Sequence, residues 1–149
     1  MKNKTCLLAK QGFTLIELLV VIAILGLLAT IILFSVDTVR SKSRDSRRVV
    51  DIKVVQEGLS MYYNDYSSYP DSGGNPIEIN GSSDLMSQGL IDSGNMSGVP
   101  IDPLNMEMDG VIYKYYYESF DDESNYELIF NLETNSILNR IKGENIIYP

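Results

Sequence analysis

Apolar residues follow two different patterns along this chain. From residue 13 to residue 34 they form an almost unbroken run, FTLIELLVVIAILGLLATIILF, with a single charge at Glu17. A helix of that length covers about 33 Å, against about 30 Å for the hydrocarbon core of a bilayer. The run therefore predicts a membrane-spanning helix. Further on, Ile52, Val55, Leu59, Tyr62 and Tyr66 recur at steps of three and four, which places them on one stripe of an amphipathic helix. Gly26 and Gly58 are the only glycines between residues 13 and 66, and the first proline is Pro70. Both patterns are thus predicted to share one continuous helix of about 50 residues. Tyr69-Pro70 marks its exit, because proline biases the preceding residue away from helix. The polar stretch 41–48, between the two patterns, is expected to face water, lipid headgroups or another chain.

Residues 67–110 are rich in Gly, Pro, Ser, Asn and Asp, the composition of loops and turns. Within them, 82–91 predicts one short helix with Ser82 or Ser83 as N-cap and Leu85, Met86 and Leu90 turned inward. Val99-Pro100-Ile101-Asp102-Pro103 predicts a turn. The tyrosines at 113, 115, 116 and 117 favour a strand over 111–118. A second strand is expected over 126–133, with less clean alternation, and the acidic segment 121–125 joins the two as a hairpin. A third short strand near 137–141 completes an antiparallel sheet whose apolar face lies on the helix stripe. The predicted fold class is α+β, a long N-terminal helix packed on a small antiparallel sheet. The tyrosines are read as packing residues of that sheet, not as a stacking platform for sugars or bases.

Charge is as uneven as hydropathy. Residues 1–53 carry nine Lys/Arg against four Asp/Glu, whereas residues 54–149 carry three against sixteen. An acidic distal half argues against nucleic-acid binding through that half. Histidine is absent, and the single cysteine is Cys6. A chain cleaved after residue 12 would hold no disulfide, no Cys/His zinc site and no thiol nucleophile.

Glu17 sharpens this picture. A carboxylate at the centre of a membrane helix costs on the order of 2.5–3.5 kcal/mol, and less near an end. Glu17 sits one turn inside the apolar run, so it calls for a partner or for a position at the interface. An ordinary secretory signal has a shorter apolar region, roughly 7–15 residues, followed by a small-residue cleavage site. Here Ala29 and Thr30 are followed by more apolar chain. Hydropathy alone leaves an uncleaved signal anchor open.

The segment KQGFTLIELLVVIAILGLLA resembles the processing and methylation signature of type IV prepilins and of type II secretion pseudopilins. The resemblance implies a prepilin leader, residues 1–12, cut between Gly12 and Phe13 by an inner-membrane prepilin peptidase that also methylates the new amino group of Phe13. It implies that Glu17 serves assembly by pairing with the amino terminus of a neighbouring subunit. It divides the rest into a membrane and filament-core helix, 13–35, an amphipathic continuation, 36–66, and a globular head, 67–149. The implied partners are the peptidase, like subunits, an inner-membrane assembly platform and, before assembly, the lipid bilayer, with the head on the extracytoplasmic side. RRVVDIKVVQEGLSMYYNDYSSYP and the later Pro-x-Asp-Pro are similar to pseudopilins as well. Many members carry a proline late in the apolar helix, where this chain has Leu33 and Phe34.

Three points stay open at this level. Six Lys/Arg follow the apolar run between residues 40 and 53 and three precede it, so the positive-inside count favours the orientation opposite to the family's. Asp121 and Asp122 offer hard oxygen ligands suited to Ca²⁺, as in the distal loop of related major pseudopilins, but their spacing does not clearly match that pattern and an ordinary acidic turn is the favoured reading. The leading function is a non-enzymatic filament subunit, of a surface pilus or of a secretion pseudopilus. The alternative is a membrane-anchored enzyme or binding module, for which no carboxylate pair in the head is singled out by spacing.

Overall fold

A computed structural model describes residues 13–149, without the side chains of residues 31–35. Helix α1 runs Leu15–Tyr66. The chain divides within it into two compact units, one ending at Thr38 and the other running Val39–Pro149. In the first unit every described side chain from residue 13 to residue 30 is exposed.

The second unit is the head. It contains a short helix α2, Leu85–Asp92, and six strands: β1 Ile77–Glu78, β2 Met106–Met108, β3 Val111–Tyr113, β4 Tyr116–Phe120, β5 Asn125–Leu132 and β6 Gly143–Ile147. Four strands form an antiparallel sheet in the order β1-β4-β5-β6, and β2 and β3 form a separate ribbon. Ile52, Val55 and Leu59 of α1 are fully buried and join Tyr115, Tyr117, Leu128, Phe130 and Leu132 in one core. Tyr62 packs on that core from its margin, while Tyr66 is 55% exposed. The predicted stripe therefore stops one turn early, and Tyr66 stacks on Tyr62 instead, with ring centroids 4.5 Å apart.

Strand β5 alternates buried and half-buried residues without a break, more regularly than its sequence suggests. Its half-buried positions include Glu127 and Asn131 beside Ile129, so side-chain type is a poor guide to which face is covered. The single strand predicted over 111–118 is two strands in different sheets. Upstream of the first, Asp109 and Gly110 both have positive φ, 53° and 76°. That is the two-residue hairpin geometry favoured by Asp-Gly, and it turns β3 back on β2. The third strand lies at Gly143–Ile147, not near 137–141. Residues 137–141 form a turn closed by the Arg140 N–H donating to the Ile137 carbonyl.

Helix α2 begins later than predicted. Its N-cap is Asp84, whose Oδ1 accepts the Ser87 N–H at 2.8 Å, while Oδ2 accepts the Asn80 N–H. The Asn80 side chain in turn accepts from the backbone of Ser82, Ser83 and Asp84. Ser82 and Ser83 are thereby held in the turn before the helix. With this start, Met86 and Leu90 are buried, but Leu85 is 54% exposed. Leu90→Ala is expected to cost about 2–5 kcal/mol through loss of packing. Leu85→Ala is expected to cost less than about 1 kcal/mol. Chemical denaturation of the detergent-solubilised chain, followed by tyrosine near-UV circular dichroism, separates the two.

Candidate functional site

Two clusters concentrate the chemistry of the described residues. The first opens helix α1. Thr14 precedes the helix and Glu17 lies three residues on. The Thr14 N–H and hydroxyl both donate to Glu17 Oε2, at 2.8 and 2.6 Å, and the Glu17 N–H donates back to Thr14 Oγ1 at 3.3 Å. This is a capping box, which satisfies amide donors left over at a helix start. It also holds a carboxylate at the positive end of the helix dipole. Phe13, Ile16, Glu17, Val20 and Val21 line one shallow depression there, and Phe13 is 86% exposed. The capping box was legible as Thr-x-x-Glu before an apolar run, although sequence reasoning singled out only the Glu. Gly12 lies outside the described residues. Among the described residues no helix is long and apolar enough to cross a membrane. The span predicted from sequence passes through residues 31–35, whose side chains are not among those described.

The second cluster was not foreseen. The stretch 41–48 was expected to face outward, yet Asp45 and Arg48 are fully buried and Arg44 is half-buried. The Arg48 guanidinium meets three carboxylates. Its Nε and Nη2 donate to Asp102 at 2.7 and 3.0 Å, and its Nη1 donates to Asp45 at 2.9 Å and to Glu133 at 2.7 Å. The Tyr113 ring lies 4.8 Å from the guanidinium carbon. Arg44 Nε donates to Glu133 at 2.7 Å. Asp45 also accepts the backbone N–H groups of Glu133 and Thr134, and the Thr134 hydroxyl. Asp102 also accepts the Leu104 and Asn105 N–H groups. The cluster therefore joins α1, the turn before β2 and the exit of β5. Asp102 is the acid of the Pro-x-Asp-Pro turn, so that motif serves as an anchor for Arg48.

Electrostatics fit this geometry. Burial disfavours the Arg48 charge, but hydrogen bonds to Asp102 and Glu133 more than offset it and hold the pKa above the ordinary arginine value. Burial likewise works against the Glu133 charge, yet hydrogen bonds from Arg44 and Arg48 hold its carboxyl down at about 2. One turn along the helix, Asp51 shifts the other way. Burial pushes its carboxyl up against the pull of the Tyr115 hydroxyl, which donates at 3.1 Å, and of Arg47.

Asp121 and Asp122 are exposed, and with Glu123 they occupy a left-handed turn at φ 54°, 55° and 61°. The Asp121 carboxylate accepts from the Asn125 side chain at 3.0 Å. Among the described residues no group of three or more His, Cys, Asp or Glu is arranged to hold a metal ion.

Glu133 has a lower pKa folded than unfolded. Its contribution to stability is therefore full above the ordinary glutamate range, about 4.3, and is lost as pH falls toward 2. Asp51 has the opposite sign, and acid relieves rather than weakens its site. Glu133→Gln is expected to flatten the acid limb of a stability–pH profile. Arg48→Met, which takes the guanidinium from three carboxylates and leaves Asp102 and Asp45 buried without a cation, is expected to cost about 3–5 kcal/mol at neutral pH. Thermal melts between pH 2 and 7 test both.

Comparison with known proteins bears on the first cluster and on the chain as a whole. Residues 7–33 match the family model of the prokaryotic N-terminal methylation motif. The chain is 30% identical over 120 residues to the type II secretion system core protein G of Dickeya chrysanthemi, a match covering 80% of this chain and 68% of that protein. It is 38% identical over 61 residues to the protein of the same name from Vibrio cholerae, covering 41% of this chain and 42% of that one. The Escherichia coli protein of that name is 36% identical over 61 residues, again covering 41% and 42%. The chain thus spans less than half the length of these last two relatives. No solved structure matches it. The N-terminal motif, carried on a helix that opens with the Thr14–Glu17 box, and the similarity that continues through most of the chain together show that it belongs to the family of the type II secretion system core protein G.

Proposed function

We infer that this chain is a structural subunit of a pseudopilus, made as a prepilin and cut between Gly12 and Phe13. Prepilin peptidase would make the cut and methylate Phe13. Residues 13–35 would hold the subunit in the inner membrane, with the head on the extracytoplasmic side. Assembly platform and like subunits would then draw the apolar helix out of the bilayer into a filament core. The observation that carries this reading is the first unit itself, in which every described side chain from residue 13 to residue 30 is exposed. Among them are Leu15 at 81% and Ile16 at 70%. A contiguous apolar surface of that extent calls for a cover. Lipid supplies one before assembly, and the helices of like subunits supply one after it.

The amino end explains how a carboxylate is tolerated in such a surface. Two hydrogen bonds from Thr14 keep Glu17 oriented at the helix start. Cleavage creates an ammonium at Phe13, and a carboxylate and an ammonium leaving water together offset each other's desolvation only if they meet. Pairing Glu17 with the Phe13 amino group of a neighbour meets that condition. Similarity to type II secretion system proteins favours the secretion pseudopilus over the surface pilus.

Mass spectrometry of the mature N-terminal peptide is the direct test. A peptide beginning at methylated Phe13 is expected, and an intact Met1 start or a cut after Ala29 would overturn the reading. Replacing Gly12 with a bulky residue is expected to leave the precursor unprocessed in membranes. Glu17→Ala is expected to insert and be processed normally but to be lost from sheared or sedimented filaments. Normal incorporation of that variant would remove the pairing argument.

A further inference from the structure

The distal half of the chain has only three basic residues, Lys114, Arg140 and Lys142. Lys114 is paired with Glu78 at 2.7 Å. The other two lie in one turn between β5 and β6, beside the two most exposed large apolar residues of the head, Leu138 at 86% and Ile141 at 70%. This turn is built, not frayed. Ile137 packs on the core, the Arg140 guanidinium lies 5.2 Å from the Phe130 ring centroid, and the Lys142 N–H donates to the Asn135 side chain at 2.6 Å. With its root fixed, the turn presents Leu138, Ile141 and Lys142 outward. Glu144, the second residue of β6, lies two residues beyond Lys142 and is the acid nearest to it in sequence.

The opposite end of the head has the complementary character. Tyr63 is 38%, Tyr66 55% and Phe120 37% exposed, and Asp65, Asp121 and Asp122 are exposed among them. The Tyr69 N–H donates to the Glu123 carbonyl at 2.8 Å, which ties the acidic turn to the end of α1. Strand β5, eight residues long, lies between the two ends, a span of roughly 26 Å. Asp45, which holds Thr134 at the basic end, and Tyr66 are likewise about 30 Å apart along the helix. The two surfaces cannot meet within one chain.

We propose that the turn bearing Leu138, Arg140, Ile141 and Lys142 is a docking surface for a second copy of this chain, and that it seats on the acidic, tyrosine-rich end of that copy's head. The inference rests on the filament reading above and adds the head surfaces through which successive subunits meet. Apolar Leu138 and Ile141 cover the exposed rings, and Lys142 faces both Asp side chains and tyrosine faces, a favourable setting for cation–π contact, while Arg140 holds the turn against Phe130. Because the surfaces differ and lie at opposite ends, the contact is heterologous. It leaves one of each free at the ends of any oligomer, so it propagates instead of closing as a dimer would.

Cysteine cross-linking of the full chain tests this directly. In a Cys6→Ser background the chain has no thiol, so introduced cysteines report only on themselves. Leu138→Cys with Tyr66→Cys, oxidised in filaments, is expected to yield a ladder of covalent multimers, while either single variant yields none. Adding Lys142→Glu is expected to lower the ladder at least about tenfold, and further adding Asp122→Lys to restore it. Filaments that form with methylated Phe13 but give no ladder would overturn the end-to-end contact and leave the filament reading standing. Dimers from Leu138→Cys alone would also overturn it, since they require like surfaces to meet. If no polymer forms even from the unaltered mature chain, both readings fall.

Discussion

A single buried guanidinium organises the head. Arg48 has no exposed surface, and it touches three acidic groups from α1, from the turn before β2 and from the exit of β5. Taking these charges from water costs several kcal/mol per ion, and attraction recovers that cost only if geometry is good and the remaining lone pairs are filled. Here they are filled. Asp45 and Asp102 each accept backbone N–H groups as well as the guanidinium. Such a cluster adds little net stability relative to apolar packing. Its effect is register, because a shift of α1 by one residue would break every contact at once.

That constraint complements the apolar core. Ile52, Val55 and Leu59 bury a stripe against β4 and β5, but greasy contacts tolerate rotation and sliding. Directional hydrogen bonds at Arg48 do not. Farther along, the Tyr117 hydroxyl donates to the Pro70 carbonyl at 2.6 Å and the Ser72 N–H donates to the Ser119 hydroxyl. The chain leaving α1 is thereby pinned to β4. The helix is gripped by charge near residue 48, by apolar packing through residue 59 and by hydroxyl contacts beyond its end.

The two units solve opposite problems. The head buries one cluster of charges among specific partners and displays others at a basic and an acidic end. The first unit exposes its apolar side chains, and the apolar run has one carboxylate, Glu17, held by Thr14. Each is incomplete alone: the first lacks a cover for its apolar surface, and the second has two unlike surfaces that cannot reach each other. The proposed repetition of the same chain in a filament would answer both needs.

Much of this was legible in the residues. Period and length determined the long helix, because an apolar run of 22 residues and a stripe at steps of three and four have few other solutions. Gly-Phe-Thr-Leu-Ile-Glu before that run marked the family, which the similarity through most of the chain bears out. Strand content and the α+β class followed from tyrosine-rich and alternating segments. Tertiary structure alone decided the rest. The burial of Asp45 and Arg48 depends on Asp102 and Glu133, which are 54 and 85 residues from Arg48 in sequence; a local pattern of mixed charges looks the same whether its partners are protein or water. The start of α2 turned on competition between neighbouring caps, where Asp84 and Asn80 together outbid Ser82 and Ser83 through several hydrogen bonds that only the folded turn brings into range.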